Sequence, residues 1–103
     1  MDRVIDVAAV VQRTVEDYSG PALKAVTHPF ADHQRRTYGV VVVPDLPRPF
    51  KARVVVMARI VDDMVIIDED TTDRPLVDAL VKAGIPRDRI VLLYAGEEAP
   101  QQA

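Results

Sequence analysis

Between positions 62 and 73 the chain reads DDMVIIDEDTTD, and six of these twelve side chains are carboxylates: Asp62, Asp63, Asp68, Glu69, Asp70 and Asp73. Acids at this density could hold Mg²⁺ or Mn²⁺ and use the ion to activate water, the chemistry of a small metal-dependent hydrolase. Such a site needs at least three oxygens converging on one point. The β-branched run between the acids reads as a strand, and its period of two sends Asp68 and Asp70 to one face and Glu69 to the other. Asp62 and Asp63 then sit at the far end of that strand, roughly 15–20 Å from Asp70 at ~3.3 Å per residue. A calcium loop, with glycine at its sixth position and glutamate at its twelfth, does not fit the spacing. The competing explanation is turn chemistry at one end and helix-start charge at the other, where the macrodipole favours acids. The period supports that explanation over the metal site.

Other chemistries have fewer residues to draw on. His28 and His33 flank a Pro-Phe pair, but the sole serine, Ser19, stands beside Gly20 at the end of a helical pattern and offers them no nucleophile. The four glycines, Gly20, Gly39, Gly84 and Gly96, are not spaced for a phosphate loop. Without cysteine the chain has no disulfide, zinc-thiolate site, iron-sulfur cluster or thiol nucleophile. No catalytic, metal-ligating or cofactor-binding residue is therefore expected.

Binding residues are easier to find. Residues 1–53 carry eight Lys/Arg against six Asp/Glu, and residues 54–103 carry five against ten, within a net charge of -3. The basic residues His33, Arg35, Arg36, Arg48, Lys51 and Arg53 interleave with only Tyr38 and Phe50 as aromatics. Arg35, Arg36, Tyr38, Lys51 and Arg53 are thus candidate contacts to a protein partner or to phosphates, although this excess is small for a dedicated nucleic-acid binder. Charge that protects a strand edge would give the same pattern. Arg59 joins the candidates: it interrupts VVVMARIV on the expected face of Val55 and Met57, where burial would require an acidic partner.

The elements that position these residues follow from periodicity. Val4, Val7, Ala8, Val11, Val15 and Tyr18 recur at spacings of three and four, which predicts an amphipathic helix from Asp2, its N-cap, to a stop at Ser19-Gly20-Pro21. A short strand is expected over 22–30, ending at His28-Pro29, and a second over 36–43. The prolines of PDLPRP keep the next connection extended. Two strands over 51–61 and 64–69 form a hairpin at Asp62-Asp63, since aspartate tolerates the positive φ of a tight turn. A second helix, capped by Thr72 or Asp73 and stopped by Gly84, leads to a last strand over 89–94. This order implies an α+β domain of four to five strands, mainly antiparallel, with helices covering one face.

With 103 residues and 49% hydrophobic composition, the chain is expected to form one domain over 1–96 with a polar, disordered tail over 97–103. No apolar run approaches the ~20 residues of a membrane span, and the N-terminus MDRVID resembles no leader, so a soluble, cytoplasmic protein is expected. The runs at 40–43 (VVVV) and 54–58 (VVVMA) are apolar on both strand faces, more than one helix-covered face requires, and point to self-association as a homo-oligomer.

The run ARIVDDMVIIDEDTTDRPLVDALVKAGIPRDRIVLLYAG resembles the XisI family of fdxN-element excision-controlling factors. Asp62-Asp63-Met64 stands at the family's hairpin turn, Val65-Ile66-Ile67 at its strand, and Asp70 with Thr72-Asp73 at its helix start. The segment Leu80 to Leu92 follows without a gap, and Arg36-Thr37-Tyr38 opens an earlier strand. The tryptophan of the pattern is missing near Val65. The resemblance implies a small α+β domain without an established catalytic activity. It also implies a regulatory role in DNA excision by a separate recombinase, exerted through a protein partner such as a nuclease-like XisH companion.

Overall fold

The computed structural model describes residues 6–45 and 51–98. A helix α1 (Val7–Glu16) precedes four strands, β1 (Ala25–Asp32), β2 (Thr37–Pro44), β3 (Arg53–Val61) and β4 (Met64–Asp70), followed by helix α2 (Leu76–Lys82) and strand β5 (Ile90–Leu92). The strands form one sheet in sequence order, antiparallel from β1 to β4 and parallel between β4 and β5. The parallel step requires a crossover, and α2 supplies it. The expected α+β architecture, with an N-terminal helix and a second helix before the last strand, is what the chain adopts.

Both helices pack on one face of the sheet. Val11 and Val15 of α1 and Leu76, Val77 and Leu80 of α2 bury against Tyr38, Val40, Val56, Ala58, Ile60, Val65, Ile67 and Ile90. These strand residues alternate, as the two-residue period demands, except where two bulges reset it. The first, between Val40 and Val41 on β2, leaves Val55 unpaired on β3, so Val55 packs with Val56 toward the helices. The second, between Met57 and Ala58 on β3, leaves Asp68 unpaired on β4. Asp68 keeps the helix-free face of Ile66 and accepts the Arg59 Nε–H at 2.8 Å, while the bulge turns Asp70, opposite Val56, to the helices. Period alone placed Asp68 with Asp70 and Arg59 with Val55; each bulge reverses one of those pairings.

Helix ends also differ from the periodic expectation. Asp6 caps α1 by accepting the Ala9 N–H at 3.1 Å, and Asp2 lies outside the described residues. The chain leaves the helix at Glu16, before Ser19-Gly20-Pro21, and the Ser19 hydroxyl donates to the Glu16 carbonyl at 2.6 Å. Neither Thr72 nor Asp73 is the cap of α2, which follows Pro75. Asp70 acts from the strand instead: its carboxylate accepts N–H groups from Thr72 at 2.9 Å and Leu76 at 2.7 Å, and the Thr72 hydroxyl at 2.7 Å. Gly84 (φ 112°) ends α2 as expected.

The hairpin at Asp62-Asp63 forms with Asp62 at φ 54°. Strand β1 continues through Pro29 to Asp32, which is tolerated because β1 is the sheet edge. The PDLPRP connection falls mainly on residues 46–50, outside the described residues. At the opposite edge β5 is shorter than 89–94, because side chains take over its outer backbone groups. The Glu97 carboxylate accepts the Leu92 N–H at 2.9 Å, an Arg87 N–H donates to the Ile90 carbonyl at 2.8 Å, and the two side chains pair at 2.9 Å. Glu97, assigned to the polar tail by composition, is a structural residue.

Two outcomes follow. A Cβ at Gly39 would lie 2.6 Å from Phe30 Cε2 and 2.8 Å from the Val56 carbonyl oxygen, so Gly39→Ala is expected to cost about 1–3 kcal/mol in urea denaturation. The Leu92 N–H, and after it Arg87, hold the Glu97 carboxyl below the ordinary glutamate range. A depressed folded-state pKa means that this stabilisation is present above the unfolded value and is lost as pH falls through the folded one. The stability gap between the wild type and Glu97→Gln should therefore be full at neutral pH and close in acid, as measured by urea denaturation at pH 7 and pH 3.

Candidate functional site

The sheet separates the sequence-predicted contact residues. Arg35 and Arg36 stand in the β1–β2 turn, where Arg35 pairs with Asp32 at 3.1 Å and the Arg36 carbonyl accepts the Ile60 N–H at 2.9 Å. Arg59, opposite Thr37 at the same end, is neutralised by Asp68. Lys51 and Arg53 belong to the other end, where Arg53 pairs with Val42, about 20 Å along the strands at ~3.3 Å per residue. Tyr38 shares the helix-side face with Val40 and is 1% exposed, with His33 set edge-on against its ring at 5.7 Å between centroids. One continuous basic surface does not form from these residues.

The acidic run is spread out in the same way. Asp63 faces Arg89 at 3.6 Å beside the hairpin turn, Asp68 is held by Arg59, and Asp70 is committed to the start of α2. Among the described residues no three His, Cys, Asp or Glu side chains are arranged to hold a metal ion. Among the same residues no helix is long and apolar enough to cross a membrane.

Arg53 leads instead to a groove on the helix-side face, beyond the C-terminus of α1. Its floor is Thr27, Val42 and Val55 from three adjacent strands, and its volume is about 780 Å³. One wall runs from Asp17 to Ala22 and the other from Thr71 to Arg74. The walls are braced against each other: the Tyr18 hydroxyl donates to the Arg74 carbonyl at 2.6 Å, and the Arg74 guanidinium lies 4.3 Å from the centre of the Tyr18 ring. Burial pushes the Tyr18 phenol above its ordinary range, the Arg74 cation opposes this, and the Asp70 and Asp78 charges add to the rise. The phenol thus keeps its proton, and its bond to Arg74, through the neutral range.

The other hydroxyls of the groove are also committed. Thr27 donates to the Gly20 carbonyl at 2.9 Å, Thr71 to the Val55 carbonyl at 3.0 Å, and Thr72 to Asp70. Among the described residues Arg53, Arg74 and the carboxylates of Asp17 and Asp73 in this groove have no ion-pair partner. Leu23, which follows the lining residue Ala22 in the chain, is 92% exposed. The site therefore offers two cations without an ion pair, Arg53 and the Arg74 stacked on Tyr18, and two unpaired carboxylates around a floor with apolar Val42 and Val55, with exposed Leu23 next in the chain to the lining Ala22. Of these residues sequence reasoning found only Arg53 as a contact, because Tyr18 reads as the last position of a helix stripe and Arg74 as part of a helix start.

A family model described as XisI protein matches residues 1–102. The chain belongs to the XisI family. A solved XisI-like protein from Anabaena variabilis ATCC 29413 superposes with a TM-score of 0.75 at 25% identity, covering 90% of this chain and 85% of that one. The fdxN element excision controlling factor XisI from the same organism superposes with a TM-score of 0.67 at 23% identity, covering 82% and 86%, and shows a shared fold. No curated protein matches the chain.

The brace between the walls can be measured. Tyr18→Phe keeps the ring under Arg74 and removes only the hydroxyl, so a loss of about 1 kcal/mol is expected in chemical denaturation. Arg74→Ala should cost a separate ~0.5–1 kcal/mol for the cation–ring contact, with the Tyr18 hydroxyl bond retained because its acceptor is backbone.

Proposed function

We propose that the chain is a non-enzymatic control protein of the excision-controlling-factor type, and that it works by holding a protein partner in the groove between Tyr18 and Arg74. The observation that carries this reading is the groove itself, which holds Arg53, Asp17 and Asp73 without ion pairs among the described residues and has exposed Leu23 next in the chain to its lining Ala22. Interfaces draw their affinity from apolar anchors set among charges that orient the partner. The hydroxyls of Tyr18, Thr27, Thr71 and Thr72 are spent on structural acceptors, which leaves the groove better equipped for binding than for nucleophilic chemistry. The division of the basic residues between two sheet ends favours a protein partner over a nucleic-acid backbone, which needs a continuous basic track. The partner class that fits the family is a nuclease-like companion of the XisH type, whose action on a DNA element this chain would regulate.

Co-expression of the tagged chain with an adjacently encoded XisH-like companion tests the reading. The two should co-purify, and Leu23→Asp or Arg53→Glu should weaken the complex tenfold or more. Arg35→Glu, at the far end of the sheet, should leave it intact. Failure of the wild-type pair to co-purify would remove the reading, and DNA retention falling steeply with salt would replace it with nucleic-acid binding.

A further inference from the structure

The face of the sheet away from the helices is also apolar. Because Tyr38, Val40, Val56, Ala58 and Ile60 point to the helices, alternation puts Phe30, Val41, Val43, Val54 and Met57 on the other side. Val26 and Val43 are directly opposite each other on β1 and β2 and remain 52% and 41% exposed. Neither α-helix covers this face. We propose that its occupant is a second copy of the same chain, giving a two-fold dimer in which two sheets stack face to face.

Area, charge and the state of the edges point to that occupant. Strands β1 to β4 are seven to nine residues long. At ~3.3 Å per residue and ~4.8 Å between strands they span roughly 500 Å² per copy, less where Ile66 on β4 is already covered, so a stacked pair buries at most about 1,000 Å², the lower limit for a specific interface. In a two-fold pair the patch meets its own image, so uncompensated charge on it would be buried against like charge. Here Arg59 and Asp68 neutralise each other at 2.8 Å within one copy, and Asp32 is held by Arg35. Glu69, opposite Met57, keeps its charge while accepting the Asp70 N–H at 3.1 Å, so the stacked pair must leave it at the rim beside β4. His28, opposite Val41, is exposed beside the valines.

Assembly by the strand edges has less to work with. Pro29 in the middle of β1 has no N–H to contribute to a ladder, and at β5 Arg87 and Glu97 occupy the Ile90 carbonyl and the Leu92 N–H. Stacking through the faces leaves both grooves on the outside, because they belong to the helix side.

Sedimentation equilibrium at about 100 μM should give twice the chain mass for the wild type. Val26→Lys/Val43→Lys, at positions already half exposed, should sediment as a monomer with its circular dichroism spectrum and cooperative melt retained. Val81→Lys, on the exposed outer side of α2, should remain dimeric. A monomeric wild type, a valine-pair variant that stays dimeric, or loss of the dimer in Val81→Lys would each overturn the proposal. Partner capture is read separately through Arg53→Glu, which should leave the dimer unchanged.

Discussion

A single carboxylate joins the two layers of this fold. Asp70 closes β4 at the point where the chain must leave the sheet, turn within five residues and begin a helix that packs back on the sheet it has left. Its oxygens receive the Thr72 N–H, the Thr72 hydroxyl and the Leu76 N–H. Pro75 provides no side-chain cap, so the start of α2 depends on a residue six positions upstream. Helix α2 in turn carries Leu76, Val77 and Leu80 into the core and supplies the crossover that lets β5 pair in parallel with β4. The loop fixed by the same acid forms one wall of the groove. Core, topology and candidate site thus share one ionic anchor.

The two bulges decide what each face of the sheet can do. Without the extra residue on β4, Asp70 would share the helix-free face with Asp68 and the start of α2 would lose its acceptor. Without Val55 as an added residue, the strand start would reverse, and Arg53 would leave the groove for the opposite face. A bulge inserts one residue but re-addresses every side chain on one side of it.

This also explains what was legible in the sequence. Element types, their order, the hairpin at Asp62-Asp63, the stop at Gly84 and the family resemblance rest on local signals: β-branched runs, an Asp-Asp turn, a glycine past a helix. They survived folding because tertiary structure agreed with them. The assignments that moved were those that depended on counting through a strand, because two extra residues shift the count. The cap of α2 moved as well, since its acceptor comes from the strand rather than from the residues beside the helix. Of the groove, only Arg53 was visible beforehand, because its walls come from segments that nothing in the local sequence connects.

The bond from Tyr18 to the Arg74 carbonyl joins residues 56 positions apart. The first wall is synthesised early and the second late, and the floor is drawn from three strands between them. A ribosome-bound chain that has not yet released Arg74 therefore has every basic residue of its first half but no groove. The groove thus exists only once the β4–α2 segment has closed against the end of α1.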